Sequence, residues 1–228
     1  MNLLRLGTLL FAVSFSLIAE PQPYTTHFRV TVDHIPVGKM VRTLEKLSDG
    51  SYRLNNRMFT TGFIANFRDD SMDETSHWNY SAQQVEPQNY SYHKKGGKRE
   101  KIEQARFLWD EKRVVLSYRG TPLTLELEGG EFDRLSYQWQ LRQDLKTGKK
   151  RMEYRVVDGD ELKTYTFTVV GEERLKIGSK KVATVAVERI ADNGRETRFW
   201  CAIDHDYLLV KIMQDDGSHL FVGEVEAL

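Results

Sequence analysis

Tyr165-Thr166-Phe167-Thr168-Val169 sets aromatic and aliphatic side chains on one face of an extended chain and threonines on the other. Its period is two, that of a strand whose successive side chains point to opposite sides. Working outward, Arg195 to Ile203 repeats the pattern, with Thr197, Phe199, Cys201 and Ile203 alternating with Glu196, Arg198, Trp200 and Ala202. Val182–Ile190 and Tyr207–Met213 carry β-branched and aliphatic residues at both parities, as strands covered on both faces do. Between such runs stand Pro36-Val37-Gly38, Asp49-Gly50, Asp158-Gly159, Asn193-Gly194 and Asp216-Gly217. Asx-Gly pairs suit tight hairpins because both central residues tolerate positive φ. Hairpin following hairpin, with no long helix between, predicts an all-β fold. The expected form is an antiparallel meander making a single barrel-like or strongly curved sheet.

Two stretches interrupt the rhythm. Met58–Gln88 is richer in polar residues, with Asp69-Asp70, Asp73-Glu74 and several asparagines, and reads as partly loop. Asp133–Gly148 carries two signals at once. Leu135, Tyr137, Trp139 and Leu141 alternate like a strand, whereas Leu135/Trp139 and Leu141/Leu145 stand four apart like a helix. Asp133 is a good N-cap, Gly148 is placed to stop a helix, and Gln138, Gln140, Arg142 and Gln143 favour a helix over a strand. One short helix near 134–146 is the expectation.

The chain has 228 residues, 33 Lys+Arg against 33 Asp+Glu, and a single cysteine. A balanced charge offers no global attraction to nucleic acid or to an anionic membrane. One cysteine supplies neither an internal disulfide nor a Cys-rich zinc site. Arg5 precedes Leu6–Ala19, a run of 14 mostly apolar residues that ends at Glu20-Pro21. A positive start, a short apolar run and a small terminal residue describe a secretory signal peptide over 1–19, cleaved after Ala19. The run is shorter than the roughly 20 residues of a spanning helix, and no cysteine follows it for lipid attachment. The mature chain 20–228 would hold 32 basic and 33 acidic side chains, a net charge of −1, in one domain with no transmembrane segment. Cys201, between Trp200 and Ala202, reads as a small buried hydrophobe.

Catalytic patterns are absent: no HExxH, GxSxG, phosphate-binding glycine loop or Cys-x-x-Cys occurs, and no metal or cofactor is called for. Asp204-His205-Asp206 reads as a turn, because neighbours on a strand cannot all face one ion. Asp69, Asp70, Asp73 and Glu74 lack the glycine and bidentate glutamate of a calcium loop. The aromatic content of 11% says more. Trp78/Tyr80, Tyr90/Tyr92 and Phe107/Trp109 each put two rings on one face, as barrel core or as a wall against a ligand. Tyr90, Tyr92 and Trp109 are the candidate ligand-binding rings. Lys94-Lys95-Gly96-Gly97-Lys98-Arg99 is a basic hairpin tip, which adds Lys94 and Lys95 as candidate contacts.

Taken in order, several of these pieces resemble the DUF3108 family: Val85-Glu86-Pro87-Gln88-Asn89-Tyr90-Ser91-Tyr92, Ala105-Arg106-Phe107-Leu108-Trp109-Asp110, and Asp133-Arg134-Leu135-Ser136 continuing to Gly148. Tyr165–Gly171 and Phe199–Asp204 running into Tyr207–Val210 extend the likeness across about His27–Val225. The resemblance implies an exported, Gram-negative bacterial, all-β barrel-like domain and hence a periplasmic address. It brings no catalytic residue with it. Leu209 stands where the family often has proline, which lets this strand keep its ladder.

The expected function is a non-enzymatic periplasmic binding or carrier protein, a monomer holding an envelope lipid, glycan or protein segment on its curved sheet. A polysaccharide-processing enzyme would instead show two carboxylates facing each other across a cleft at about 5–10 Å, one with a raised pKa. A structural partner of an outer-membrane assembly would show an exposed apolar patch or a long unpaired edge strand.

Overall fold

The computed structural model describes residues 20–67, 69–96 and 100–228. The expected signal peptide and positions 97–99 of the basic tip lie outside the described residues. The strands are β1 (Tyr24–Val32), β2 (Ile35–Lys46), β3 (Tyr52–Thr60), β4 (Ser71–Ser81), β5 (Gln84–Lys95), β6 (Lys101–Leu108), β7 (Arg113–Tyr118) and β8 (Thr121–Glu126). The helix α1 (Ser136–Lys146) follows. The chain then returns through β9 (Arg151–Asp158), β10 (Glu161–Ile177), β11 (Lys180–Ile190), β12 (Glu196–Ala202), β13 (Leu208–Asp215) and β14 (Leu220–Val225).

All fourteen strands form one antiparallel sheet in the order β8-β7-β6-β5-β4-β3-β2-β1-β14-β13-β12-β11-β10-β9. Each half is a meander, and β1 paired with β14 joins the halves. The expected barrel-like curved sheet is therefore present, but its ladder does not close, because β8 and β9 are edges. The segment between β8 and α1 stitches these edges together. Leu127 N donates to Lys112 O at 2.8 Å, and Phe132 exchanges backbone bonds with Arg155 and Val157 on β9, each 2.8 Å. Glu131, fully buried, accepts the Glu128 and Gly129 amides and meets Arg155 at 3.0 Å.

Past this seam the chain turns into the lumen as α1. Asp133 Oδ1 accepts the Leu135 and Ser136 amides at 2.8 and 2.9 Å, while Ser136 Oγ accepts the Asp133 amide at 2.9 Å. This reciprocal cap satisfies donors that burial would otherwise strand. At the far end Gly148 takes φ 81° and donates to Leu145 O. The helix lies inside the curl of the sheet, with Tyr137 stacked on Phe167 at 5.7 Å and Trp139 against Trp78, also at 5.7 Å. Tyr137, Trp139, Leu141 and Leu145 are all buried, which explains the double signal in the sequence. A helix enclosed by a sheet can be apolar over most of its circumference, so its pattern imitates a strand.

Five further expectations are met, corrected or explained. Pro36-Val37-Gly38 is not the turn; it lies within β2, and Asp33-His34 turns the chain with φ of 50° and 67°. Asp33 stabilises that turn by accepting the Leu220 amide and meeting His219 Nδ1. Within Met58–Gln88 most of the polar stretch is strand, the end of β3, β4 and the start of β5, broken among the described residues by a 3₁₀ turn at Gly62–Asn66 and by the Ala82-Gln83 turn. The double-sided burial of β11 and β13 comes from β10, which is 17 residues long and shifts register between Val169 and Gly171. Beyond the bulge, Glu173 accepts a bond from the outward-facing Trp200 indole, and Gly178 nears Glu226 O. This half of the hairpin thus covers the outside of the sheet. Cys201 is buried, and burial pushes its thiol pKa up to about 12. Asp204-His205-Asp206 forms a 3₁₀ turn in which Asp206 takes φ 57° and pairs with Arg142 and Lys146.

Burial pushes the Asp133 carboxyl up to about 6, against the pull of bonds from Ser76, Ser136 and Leu135. Since this lies above the unfolded value, the stability contributed by the protonated group is complete below about pH 4 and lost as pH rises through about 6. Asp133→Asn keeps the acceptor for the Leu135 and Ser136 amides without the charge. Its denaturation midpoint should therefore gain on the wild type between pH 4 and 6 and run parallel above. Asp133→Ala should cost about 1–3 kcal/mol throughout. Parallel wild-type and Asn curves across pH 4–6 would contradict this account of the cap.

Candidate ligand-binding lumen

The two ends of the curled sheet differ. At one end Arg142 binds the Asp206 carboxylate at 2.8 Å and lies over Trp139 and Tyr24, so the C-terminal half of α1 plugs the opening. At the other end the lumen is open and holds a cavity of about 640 Å³, within the usual range of ligand sites.

Strand register decides what faces this space. Leu44, Leu54, Ser76, Tyr90, Ala105 and Leu116 are cross-strand partners from β2 to β7 and form an inner level. One level towards the mouth the partners are Arg42, Asn56, Glu74, Tyr92, Glu103 and Tyr118. Above them Met40, Met58 and Met72 align with Lys94. Across the lumen, Arg189, Thr197, Gln214 and Phe221 form one row, with Val187, Phe199 and Ile212 as the next row inward.

Arg134, the residue before the last turn into α1, reaches into the polar level. It lies 3.3 Å from Glu74, 3.3 Å from Glu103 and 3.5 Å from Asp158. Its Nε and Nη2 donate to Tyr90 Oη at 2.8 and 2.6 Å, and Tyr90 in turn donates to Glu74. The guanidinium also lies 4.7 Å from the Tyr92 ring centroid. Burial alone would lower its pKa, but Glu74, Tyr90 and Glu103 reverse that and drive it upward, so the cation is permanent. Burial, then the Glu74 charge, keeps the Tyr90 phenol protonated. Asp158 is held low despite its burial by Lys163 and Arg134. Arg42, 2% exposed, has only neutral partners among the described residues: Tyr24, Asn56 and Gln138.

The candidate residues are placed as follows. Tyr90 is buried beneath the cavity as a partner of Arg134, and Tyr92 lines it. Lys94 and Lys95 are exposed on the rim. Trp109 belongs to the plugged end, where it stacks on Phe107 at 5.5 Å and donates to Pro87 O at 2.7 Å, and it does not meet the tyrosines. Sequence reasoning missed Arg134, Glu74, Glu103, Asp158 and Arg189. A signal was present: Glu74 shares parity with Ser76 and Trp78, and Glu103 with Ala105 and Phe107. A carboxylate at the apolar parity of a strand requires a buried cation.

A sheet wrapped around one helix, stitched at its seam and open at one end onto a mixed apolar and charged lumen, defines a β-barrel-like domain built around an internal space. The chain belongs to the DUF3108 family, described as "Protein of unknown function (DUF3108)", whose sequence model matches residues 24–225. No curated protein matches the sequence. Among solved structures it is similar to one titled as a beta-barrel-like protein of domain of unknown function DUF1849 from Brucella abortus. The TM-score is 0.63 at 16% identity, over 90% of this chain and 96% of the other. At that identity the likeness concerns the fold.

Replacing Arg134 by Met leaves Lys101 for Glu103 and Lys163 for Asp158, and leaves Glu74 with Tyr90 but no cation among the described residues. Breaking such a buried set should cost about 3–5 kcal/mol at pH 7.5. The deficit should shrink at pH 4.5, because Asp158, held low by Lys163 and Arg134 against its burial, takes up a proton more readily once the Arg134 cation is gone. Urea denaturation at both pH values measures the difference, and an equal deficit at each would show that Arg134 acts by packing alone.

Proposed function

We propose that this protein is an exported, non-enzymatic binding or carrier module of the bacterial envelope, holding an envelope ligand in its lumen. The observation that carries this reading is the cavity of about 640 Å³, closed at one end by α1 and open at the other. The leader-like run over 1–19 and the exported character that the family resemblance implies support a periplasmic address, with no lipid attachment and no membrane-spanning helix needed. Phe63 and Phe67, 74% and 71% exposed and in ring contact at 4.9 Å, lie in the loop between β3 and β4 at the open end. Exposed rings at a mouth suit a protein that receives and delivers an apolar cargo.

The lumen's carboxylates support binding over hydrolysis. Glu74, Glu103 and Asp158 converge on the Arg134 cation instead of facing each other as an acid and a base. Asp133, whose pKa is raised to about 6, caps α1 and is not among the cavity's lining residues.

Native mass spectrometry of protein purified from periplasm should reveal a co-purifying small mass. Met58→Trp, which fills the lumen from its wall, should abolish that mass while leaving the melting midpoint within the range of a folded protein. A wild-type protein that is always empty, or a co-purifying mass retained unchanged in Met58→Trp, would overturn the reading.

A further inference from the structure

The walls of the lumen are chemically unequal. Met40, Met58 and Met72 on β2–β4, with Phe199, Ile212 and Phe221 on β12–β14, line one side. Because β1 joins β2 to β14, these six residues belong to one continuous stretch of sheet. The charged lining residues fall mainly on the other side, on β6, on β9–β11 and at the entry to α1. Methionines are unbranched and soft, and they adapt to a flexible apolar chain better than to a rigid sugar ring.

On the charged side almost everything is already paired. Lys101 meets Glu103 at 2.6 Å, Lys163 meets Asp158 at 3.1 Å, Arg195 meets Asp216 at 3.9 Å, and Arg134 has its three carboxylates. The exceptions are Arg189 and, in the adjoining turn, Asp192. Among the described residues no carboxylate lies within ion-pair distance of Arg189 and no cation within ion-pair distance of Asp192, although both line the cavity. The Arg189 guanidinium carbon rests 3.6 Å from the centroid of the Tyr165 ring, and burial keeps that phenol neutral. A guanidinium on a ring face leaves its in-plane N–H groups directed elsewhere, a fork suited to a carboxylate or phosphate. Thr197 and Gln214, in the same cross-strand row, supply neutral hydrogen-bonding groups beside it. The next row inward is Val187, Phe199 and Ile212, so the apolar wall begins directly below the fork.

Building on the proposed lumen-binding role, we infer that the ligand is an amphiphile with one anionic head, carboxylate or phosphate. Arg189, with Thr197 and Gln214, binds the head. The apolar chain runs inward over Phe199 and Ile212 and onto the methionines. Arg134 is not the anchor, because its charge is spent on Glu74, Glu103 and Asp158.

The test uses the purified, ligand-stripped exported protein, titrated below micelle-forming concentrations with dodecanoate, dodecyl phosphate, glycerol monododecanoate and inorganic phosphate. Dodecanoate and dodecyl phosphate should each bind one per chain. The neutral ester and inorganic phosphate should bind at least about tenfold more weakly, lacking the head or the tail respectively. Arg189→Gln should lower affinity for both anionic amphiphiles at least about tenfold and leave the neutral ester unchanged. Arg189→Lys should restore part of the loss, and Arg29→Gln, on the outer surface, should change nothing. An unaltered melting midpoint in Arg189→Gln separates lost binding from lost folding. Equal binding of the neutral ester, equal binding of inorganic phosphate alone, or wild-type affinity in Arg189→Gln would each overturn the assignment. If no amphiphile binds while the periplasmic protein still carries another mass that Met58→Trp removes, the ligand class is wrong and the lumen-binding role stands.

Discussion

An open sheet of fourteen strands has two raw edges and a hollow to fill, and Arg134 answers both demands from one position. It leaves the seam segment that ties β8 to β9 and enters the lumen as α1 begins. There it gathers Glu74 from β4, Glu103 from β6 and Asp158 from β9. Those strands lie on both sides of the unclosed seam, so the ion cluster braces the curl where backbone hydrogen bonds are missing. Burying charge is costly, and the cluster is tolerable because each carboxylate meets a cation and the cation meets Tyr90 and Tyr92 as well.

The brace also divides the interior. Below it the lumen is a conventional core, in which Trp78, Phe167, Leu135 and Leu141 leave no room for a guest. Above it the lumen stays open, with methionines and phenylalanines along one side and salt-bridged charges along the other. Apart from Arg189 and Asp192 the charged side is neutralised among its own members, and Arg42 is held by Tyr24, Asn56 and Gln138 away from the cavity lining, so Arg189 is the lining cation left to give the cavity a preference. Arg189 acquires significance only because its neighbours have partners.

The fold was legible for reasons that can be assigned to particular residues. Tyr165–Val169 and Arg195–Ile203 alternate because each strand has a core side and a solvent side, and the Asx-Gly pairs mark turns whose φ values few other residues accept. Asp133 and Gly148 bounded the helix correctly even though its enclosed position blurred its own period. The Pro36-Val37-Gly38 turn was misplaced because Asp33-His34 takes positive φ without glycine, held by bonds to Leu220 and His219 that come from the far end of the chain. The polar reading of Met58–Gln88 failed at β4 because Glu74 faces inward to Arg134, a partner 60 residues away that no local pattern reveals.

Tyr90 and Tyr92 were singled out by their spacing and do lie next to the cavity, whereas Trp109 has the same spacing relation to Phe107 and lies at the plugged end. Period two assigns a face but not a height along the barrel. The sequence by itself determined the all-β class, the Asx-Gly turns, the helix and the parity of the side chains in the strands it marked, since these follow from steric and hydrophobic preferences over a few residues. Only the tertiary structure decided which charges meet and which stays alone. Register and curl set the distances between strands remote in sequence, and electrostatic pairing depends on those distances.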